Sequence, residues 1–364
     1  INRGPAVGAD VTWDTDNAKG TMFAYTVPYD MGKDVLASGA EVDRDGMFRG
    51  MFLGDHRWQL TEHWQGFLEL SAISDANFVQ AYYENLAQTR REFTSSAYFK
   101  RLDDNTLFSA MARGNVNTFS SNQYILESQG YDVSKLPEFA YYRVADDVLS
   151  GIAPGMLNYS SEYRLSYMSL NFTEKSPKAL GMDSTSLSLD AFGMPDFNQT
   201  IGDSLDERGF DEQWAARFDT RHELSSPLDA GPVRLTPFVV GRFTAYDREY
   251  SNFAGESEDR FRGWAAAGLR AGTSINRVYD EAESRLLDIH RLRHIIEPSA
   301  TLWIAGTNRQ DGSLPIYDDR VEGINQGAAV RAGVSNTLQT QRGGEGRWRT
   351  VDVLKVDTNV VYAA

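Results

Sequence analysis

The chain has 364 residues, no cysteine, 36 Lys and Arg against 51 Asp and Glu, and a net charge of -15; its mean hydropathy is -0.44. The missing cysteines exclude disulfide stapling and thiol chemistry, and the acidic balance argues against a nucleic-acid partner, which needs basic clusters. With no run of eighteen apolar residues a helical membrane protein is excluded, while 31 glycines and 12% aromatics suit a sheet-rich chain with many turns.

No export signal is legible at Ile1, which leaves a mature protein or an excised piece. The first element, AVGADVTWDT, sets Val7, Ala9, Val11 and Trp13 against Gly8, Asp10, Thr12 and Asp14, an alternation that predicts a two-faced strand. In DANFVQAYYENLAQTRR, residues 75–91, Phe78, Val79, Tyr82, Tyr83 and Leu86 have helical spacing behind Asp75 as a cap, which predicts a short helix in a loop or against a rim; a partner-docking element is the sharper reading. LNYSSEYRLSY sets Leu157, Tyr159, Tyr163, Leu165 and Tyr167 against Asn158, Ser160, Glu162, Arg164 and Ser166. STSLSLDAFG sets Leu187, Leu189 and Ala191 against Ser186, Ser188 and Asp190, and is likewise expected as a strand. In QWAARFDTRHEL, Trp214, Ala216 and Phe218 oppose Gln213, Arg217, Asp219 and Arg221; in RFRGWAAAGLRAG, Phe261, Ala265, Ala267 and Leu269 oppose Arg260, Arg262, Trp264 and Arg270. The longest, RLRHIIEPSATLWIAG at 291–306, puts Leu292, Ile296, Pro298, Ala300, Leu302 and Ile304 on one face and Arg291, Arg293, Glu297, Ser299 and Thr301 on the other.

About fifteen such segments are expected, most of ten to fourteen residues, the length a tilted strand needs to cross a bilayer. The predicted fold is all-β, an antiparallel transmembrane β-barrel, with lipid outside and a wet lumen inside. Leu165, Leu189, Phe218, Leu269 and Leu302 are then expected to face lipid, and Arg164, Asp190, Arg217, Arg270 and Thr301 the lumen. Trp13, Tyr29, Trp58, Trp64, Tyr246 and Trp303 near strand ends are expected in interfacial girdles. A passive porin or receptor barrel and a soluble β-sandwich binding module share the alternation and stay open at this point.

Candidate chemistry is thin. His290 and His294 would sit about 13 Å apart on a strand, too far to chelate a metal; His56, His63 and His222 are isolated. The acidic loops 202–212 and 317–323 lack calcium-loop spacing and read as solvated surface. QRGGEGRWR lacks the Lys-Ser/Thr of a phosphate loop and reads as a hairpin turn. Pro298 cannot donate to a ladder, which predicts a bulge or a weakly paired position. No catalytic residue, cofactor site or metal site is expected.

The stretch RHIIEPSATLWIAG, the loop LPIYDD and the segment DRVEGINQGAAVRAGVSNTLQT resemble the LptD-type lipopolysaccharide-assembly family of Gram-negative outer membranes. The matching positions are His294, Ile295, Ile296, Pro298, Pro315, Tyr317, Asp318, Asp319, Arg320, Asn325, Gly333 and Val334. HWQGFLELSAISDANFVQAYYENL, residues 63–86, is similar to the family's early strand ending in Ser74-Asp75, and KLPEFAYYRV, 135–144, to a Leu-Pro-Glu step that opens a later strand. The resemblance implies a non-enzymatic outer-membrane translocon that takes lipopolysaccharide from a periplasmic bridge and inserts it into the outer leaflet. It also implies outer-membrane lipid, a plug lipoprotein and the bridge components as partners. The family's barrel has about two dozen strands. Residues 1–364 are therefore read as one part of a larger barrel, with the periplasmic domain not present.

Overall fold

A computed structural model describes residues 3–35, 41–89, 92–117, 131–180, 182–249, 260–309, 316–344 and 346–364. Its strands are β1 (Val7–Asp14), β2 (Ala18–Val35), β3 (Glu41–Gln59), β4 (Trp64–Ile73), β5 (Ser95–Asp103), β6 (Thr106–Gly114), β7 (Tyr131–Asp147), β8 (Asn158–Phe172), β9 (Ala215–Ser225), β10 (Leu228–Ala230), β11 (Val233–Tyr246), β12 (Phe261–Thr273), β13 (Ile275–Ser284), β14 (Ile289–Thr307), β15 (Gly327–Arg342) and β16 (Arg349–Ala363). Four short α-helices, α1 (Phe78–Tyr82), α2 (Glu84–Gln88), α3 (Thr185–Phe192) and α4 (Ile201–Glu207), lie in the connections. The strands form one antiparallel sheet in chain order; β10 pairs only with β11 and β13 only with β14. β1 and β16 are its two edges and are not paired with each other, so the sheet is open in this structure. Among the described residues no helix is long and apolar enough to cross a membrane.

The connections sort by length. At one end lie short turns at 15–17, 60–63 and 104–105; at the other lie the excursions 74–94, 173–214 and 308–326. The sheet is two-faced throughout. Val11, Met22, Leu70, Phe139, Leu165, Phe218, Val239, Leu302, Ile304 and Val330 are exposed on one face, while Arg49, Arg164, Arg217, Asp219, Arg242 and Arg262 are buried on the other. A soluble sandwich would show the reverse, with its apolar face covered. The expected facing of Leu165, Phe218 and Leu302 and of Arg164 and Arg217 follows this pattern.

Aromatic rings edge the apolar face near the short turns. Trp13 packs on His56 at 5.3 Å, His56 on Trp58 at 4.1 Å and Trp58 stacks on Phe99 at 6.4 Å. Gly20 and Gly66 leave room for these rings: a Cβ on Gly20 would lie 2.1 Å from Trp13, and one on Gly66 2.9 Å from Trp58. Toward the long connections the same face carries Phe48, Tyr167 beside Trp214 at 5.0 Å, and Phe243 beside Phe261 at 6.1 Å. On β3 the run from Phe48 to Trp58, at about 3.3 Å per residue and a tilt of about 40°, spans roughly 25 Å along a barrel axis, the height of the apolar band of an outer-membrane strand.

Several expectations are corrected. STSLSLDAFG is not a strand: it forms α3, capped by the Ser184 side chain accepting from the Leu187 N–H and stopped by Gly193 at φ 67. Leu189 and Asp190 therefore have no lipid or lumen side. Polar-apolar alternation was matched there, but an N-cap serine and a left-handed C-terminal glycine decide for helix. Tyr246 is buried on the charged face, and Trp303 packs beside buried Phe238, Val240 and Ala266, so neither belongs to a girdle. Within segment 75–91 two helical turns form, at Phe78–Tyr82 and Glu84–Gln88, but Asp75 is not the cap; Asn77 holds that place with no side-chain cap bond to the helix. Phe78 and Val79 are fully buried against β2 and β3, so this face of the segment packs on the sheet. Pro298 pairs in register with Val334 rather than forming a bulge. Its missing donor falls where the ladder on the other side breaks, between Ser299↔Gly272 and Ile296↔Ile275.

Candidate functional site

Cross-strand register builds the charged face into rungs. One rung runs Arg164↔Asp219↔Thr244↔Arg262 across β8, β9, β11 and β12, the next is Ser166↔Arg217↔Tyr246, and a third is Glu162↔Arg221↔Arg242↔Trp264. Side chains on one face of a sheet repeat every second residue, so arginines in this phase on successive strands converge on one patch.

Into that patch folds the connection between β14 and β15. Its tip is a self-closed turn: the Val321 and Glu322 N–H groups donate to the Asp318 carbonyl at 2.8 and 2.9 Å, and the Asp318 N–H donates to the Glu322 carboxylate at 2.7 Å. Five strands hold it. Glu322 accepts from Arg217 at 2.6 Å and from the Tyr246 hydroxyl at 2.5 Å, both buried contacts. Arg164 and Lys135 reach Asp318 at 2.8 and 3.4 Å. Arg262 donates to the carbonyls of Val321 and Glu322 at 3.0 and 2.9 Å, and to that of Ile324. Arg242 donates to the Arg320 carbonyl, and the Trp264 indole to that of Asn325 at 2.9 Å. The tip of one connection thus meets β7, β8, β9, β11 and β12.

The electrostatics favour a charged, docked loop. Burial pushes the Asp318 carboxyl up, but Lys135, Arg164 and Arg217 outweigh it and hold the group below the usual carboxylate range. Burial raises the Tyr317 hydroxyl. The acidic loop 317–323 is thus no solvated surface: Tyr317, Val321 and Glu322 are buried. Guanidinium forks on loop carbonyls and carboxylates give geometric definition, and Tyr317 adds apolar packing beside Met168, Leu170, Ala215 and Tyr246.

A second latch ties the 74–94 excursion to the first strands. Arg49, fully buried, grips Asp75 with two bonds of 2.8 Å and also donates to Asp30 at 2.7 Å and Asp34 at 3.1 Å. Ser74 donates to Asp75 at 2.9 Å and accepts from the Gly50 N–H at 3.0 Å. Burial raises the Asp75 carboxyl, but the Arg49 bonds prevail and keep it low. Arg49 also lies 5.5 Å over Phe78 and 5.4 Å over Tyr82, so the latch fixes α1.

The residues singled out from sequence gather on these two latches. Ser74 and Asp75 form the second; Tyr317, Asp318, Asp319, Arg320 and Asn325 lie in the loop of the first, with the Asp319 side chain exposed. His294, Ile295, Ile296 and Pro298 on β14 and Gly333 and Val334 on β15 are the two stems of that loop's hairpin. Gly333 is needed for close approach: a Cβ there would meet the Asn359 side chain, which Arg331 holds, at 2.4 Å. Pro315 lies outside the described residues. His290 lies against Trp348 and His294 meets Asn336 at 3.3 Å, and among the described residues no group of three His, Asp or Glu is placed to hold a metal. Sequence reading did not single out Arg49, Asp30, Asp34, Arg242 or Glu322, and gave Arg262 a polar face but no partner. The recurrence of arginine in one phase of β8, β9, β11 and β12 was the available signal.

A two-faced antiparallel sheet with girdle-edged apolar strands and loops latched onto its charged face defines an outer-membrane-type β-sheet protein. The chain belongs to the LptD family: the family described as LptD, LPS transport system D, matches residues 47–327. A role in lipopolysaccharide transport goes with that membership, and the family is a transport component rather than an enzyme. No curated protein matches the chain by sequence. Among solved structures, one titled bacterial polysaccharide outer membrane secretin is similar at TM-score 0.34 and 7% identity, covering 98% of this chain and 89% of that one. The FrpB iron transporter from Neisseria meningitidis (F3-3 variant) is similar at TM-score 0.26 and 9% identity, covering 98% and 60%.

Proposed function

We propose that this chain supplies strands of a closed outer-membrane barrel, the translocon that inserts lipopolysaccharide into the outer leaflet. The short turns would face the periplasm and the long connections the outside, the usual arrangement in such barrels. The charged face would line the lumen and the two latched loops would close it. The plug lipoprotein and the periplasmic bridge implied by the family would be its partners, and outer-membrane lipid would meet the apolar face.

The observation that carries the proposal is how the β14–β15 loop is held. It rests on buried ion pairs and on guanidinium bonds to carbonyls, with Arg217, Arg164, Arg242 and Arg262 doing the holding. A plug fixed by polar contacts exchanges them for water, or for a polar passing substrate, at a far smaller cost than one fixed by an apolar core. A passive pore has no reason to carry a releasable closure. The test is surface lipopolysaccharide in Gram-negative cells whose only translocon is this protein, wild type or Glu322→Ala. Wild-type delivery, altered in the variant whose plug is freed, supports the reading. No delivery by a wild-type protein that reaches the membrane folded overturns it.

A further inference from the structure

The third rung of the charged face has no share in the latch beyond Arg242 and Trp264, yet it is built as a site. Beside the loop, on the side of the short turns, lies a cavity of about 950 Å³, within the size range of small-ligand sites. Its lining carries Arg164, Arg221, Arg242 and Arg320 against Asp104 and Glu162. Arg164, Arg221 and Arg242 are each ion-paired, with Asp318, Glu223 and Asp219, which leaves Arg320 as the lining guanidinium without an ion pair among the described residues. Three features say what it takes.

Arg221 and Arg242 stand directly opposite each other on β9 and β11, a like-charge cross-strand pair that destabilises a sheet unless something neutralises it. Glu223 holds Arg221 at 2.6 Å and Asp219 holds Arg242 at 2.7 Å, so both forks are oriented, with Arg221 still partly open to the cavity. Arg320, exposed on the loop above, has a guanidinium with no partner among the described residues; only its backbone is engaged. Guanidinium forks match phosphate and carboxylate oxygens in pairs. The rest of the wall mixes three aromatic rings, Tyr98, Tyr142 and Trp264, with aliphatic and small polar side chains. Flat apolar rings beside oriented cations suit a sugar carrying an anionic group better than a bare ion.

We propose that this cavity is a recognition site for a phosphorylated saccharide, with Arg320 and Arg221 contacting the anionic group and Trp264 against the sugar ring. It rests on the translocon reading, in which a phosphorylated glycolipid passes the charged face. Arg320 sits on the latched loop, so an occupant of the site would touch the plug directly.

The test uses the full chain, folded in detergent micelles, with indole fluorescence as readout and glucose 6-phosphate, glucose and inorganic phosphate as probes. Glucose 6-phosphate is expected to change the emission saturably, at least tenfold more tightly than either glucose or phosphate. Trp264→Phe should abolish the signal, and Arg320→Gln and Arg221→Gln should each weaken binding at least tenfold. Intact lipopolysaccharide should compete, and lipopolysaccharide stripped of its phosphates should not. Arg320→Gln removes no contact that holds the loop, and its circular dichroism should match wild type. No saturable change, equal binding of phosphate alone, or a signal indifferent to Trp264→Phe or Arg320→Gln overturns the site. These readouts use a soluble ligand on purified protein, so their failure is distinct from a failure of lipopolysaccharide delivery in cells.

Discussion

Glu322→Ala is the sharpest perturbation of the latch. The carboxylate is fully buried and accepts from Arg217 at 2.6 Å, from Tyr246 at 2.5 Å and from the Asp318 N–H at 2.7 Å. Removing it leaves Arg217, also fully buried, with Glu138 at 3.8 Å and Asp318 at 4.0 Å, both too long for hydrogen bonds. Breaking a buried pair from one side costs about 3–5 kcal/mol. The sheet need not absorb that cost, because the loop can lift and let water reach Arg217. The docking equilibrium should therefore shift by roughly a few hundred- to a few thousand-fold while the strands stay paired. The chain has no cysteine, so Val321→Cys, at a buried loop position, is a background-free reporter. Its reaction with a water-soluble maleimide should accelerate at least a hundredfold in the Glu322→Ala background, with far-UV circular dichroism unchanged. An unchanged rate in a folded variant would refute the reasoning.

Other outcomes follow from the same contacts. The lowered Asp318 carboxyl stabilises the docked loop fully above the ordinary carboxylate range, and that contribution is lost as pH falls through the lowered value. Val321→Cys labelling, divided at each pH by the rate of a free cysteine peptide to remove the thiolate dependence, should accordingly stay flat from pH 7 to about 5 and rise below about 4, and Asp318→Asn should remove the acid step. Asp75→Ala should cost less than Glu322→Ala, about 1–3 kcal/mol, because Asp30 and Asp34 still neutralise Arg49; protease cleavage within 83–89 would report release of α1 and α2. Leu302→Arg on the apolar face should cost about 2–4 kcal/mol in lipid vesicles. Thr301→Glu, one residue away, falls between Arg270 and Arg331 in the ladder and should be tolerated; equal damage by both in an unfolding titration would contradict the facing of β14.

The strands were legible because alternation is a local signal that membrane-length strands repeat many times. β14 reads without ambiguity from Leu292 to Ile304, and Arg164 and Arg217 could be given their face from neighbours in sequence alone. Residues 184–193 failed because ten residues of alternation are outweighed by an N-cap serine and a terminal glycine in a connection that makes its own small core around Met194, Ile201 and Leu205. Trp303 and Tyr246 failed because distance to a strand end says nothing about which face a ring takes. The latch was visible only as family motif positions. That Asp318 meets Arg164 and Lys135, more than 150 residues away in sequence, depends on the register of five strands.

The translocon reading stands or falls on whether lipopolysaccharide travels along the charged face. A photo-crosslinking amino acid placed at position 264, beside the loop, and separately at position 304, on the apolar face, measures this in cells actively making lipopolysaccharide. Capture of lipopolysaccharide at 264 that ceases when its synthesis is stopped is the predicted result, with 304 reporting membrane lipid in either condition. Capture at 304 with none at 264, from a protein folded in the membrane, would contradict passage through the lumen.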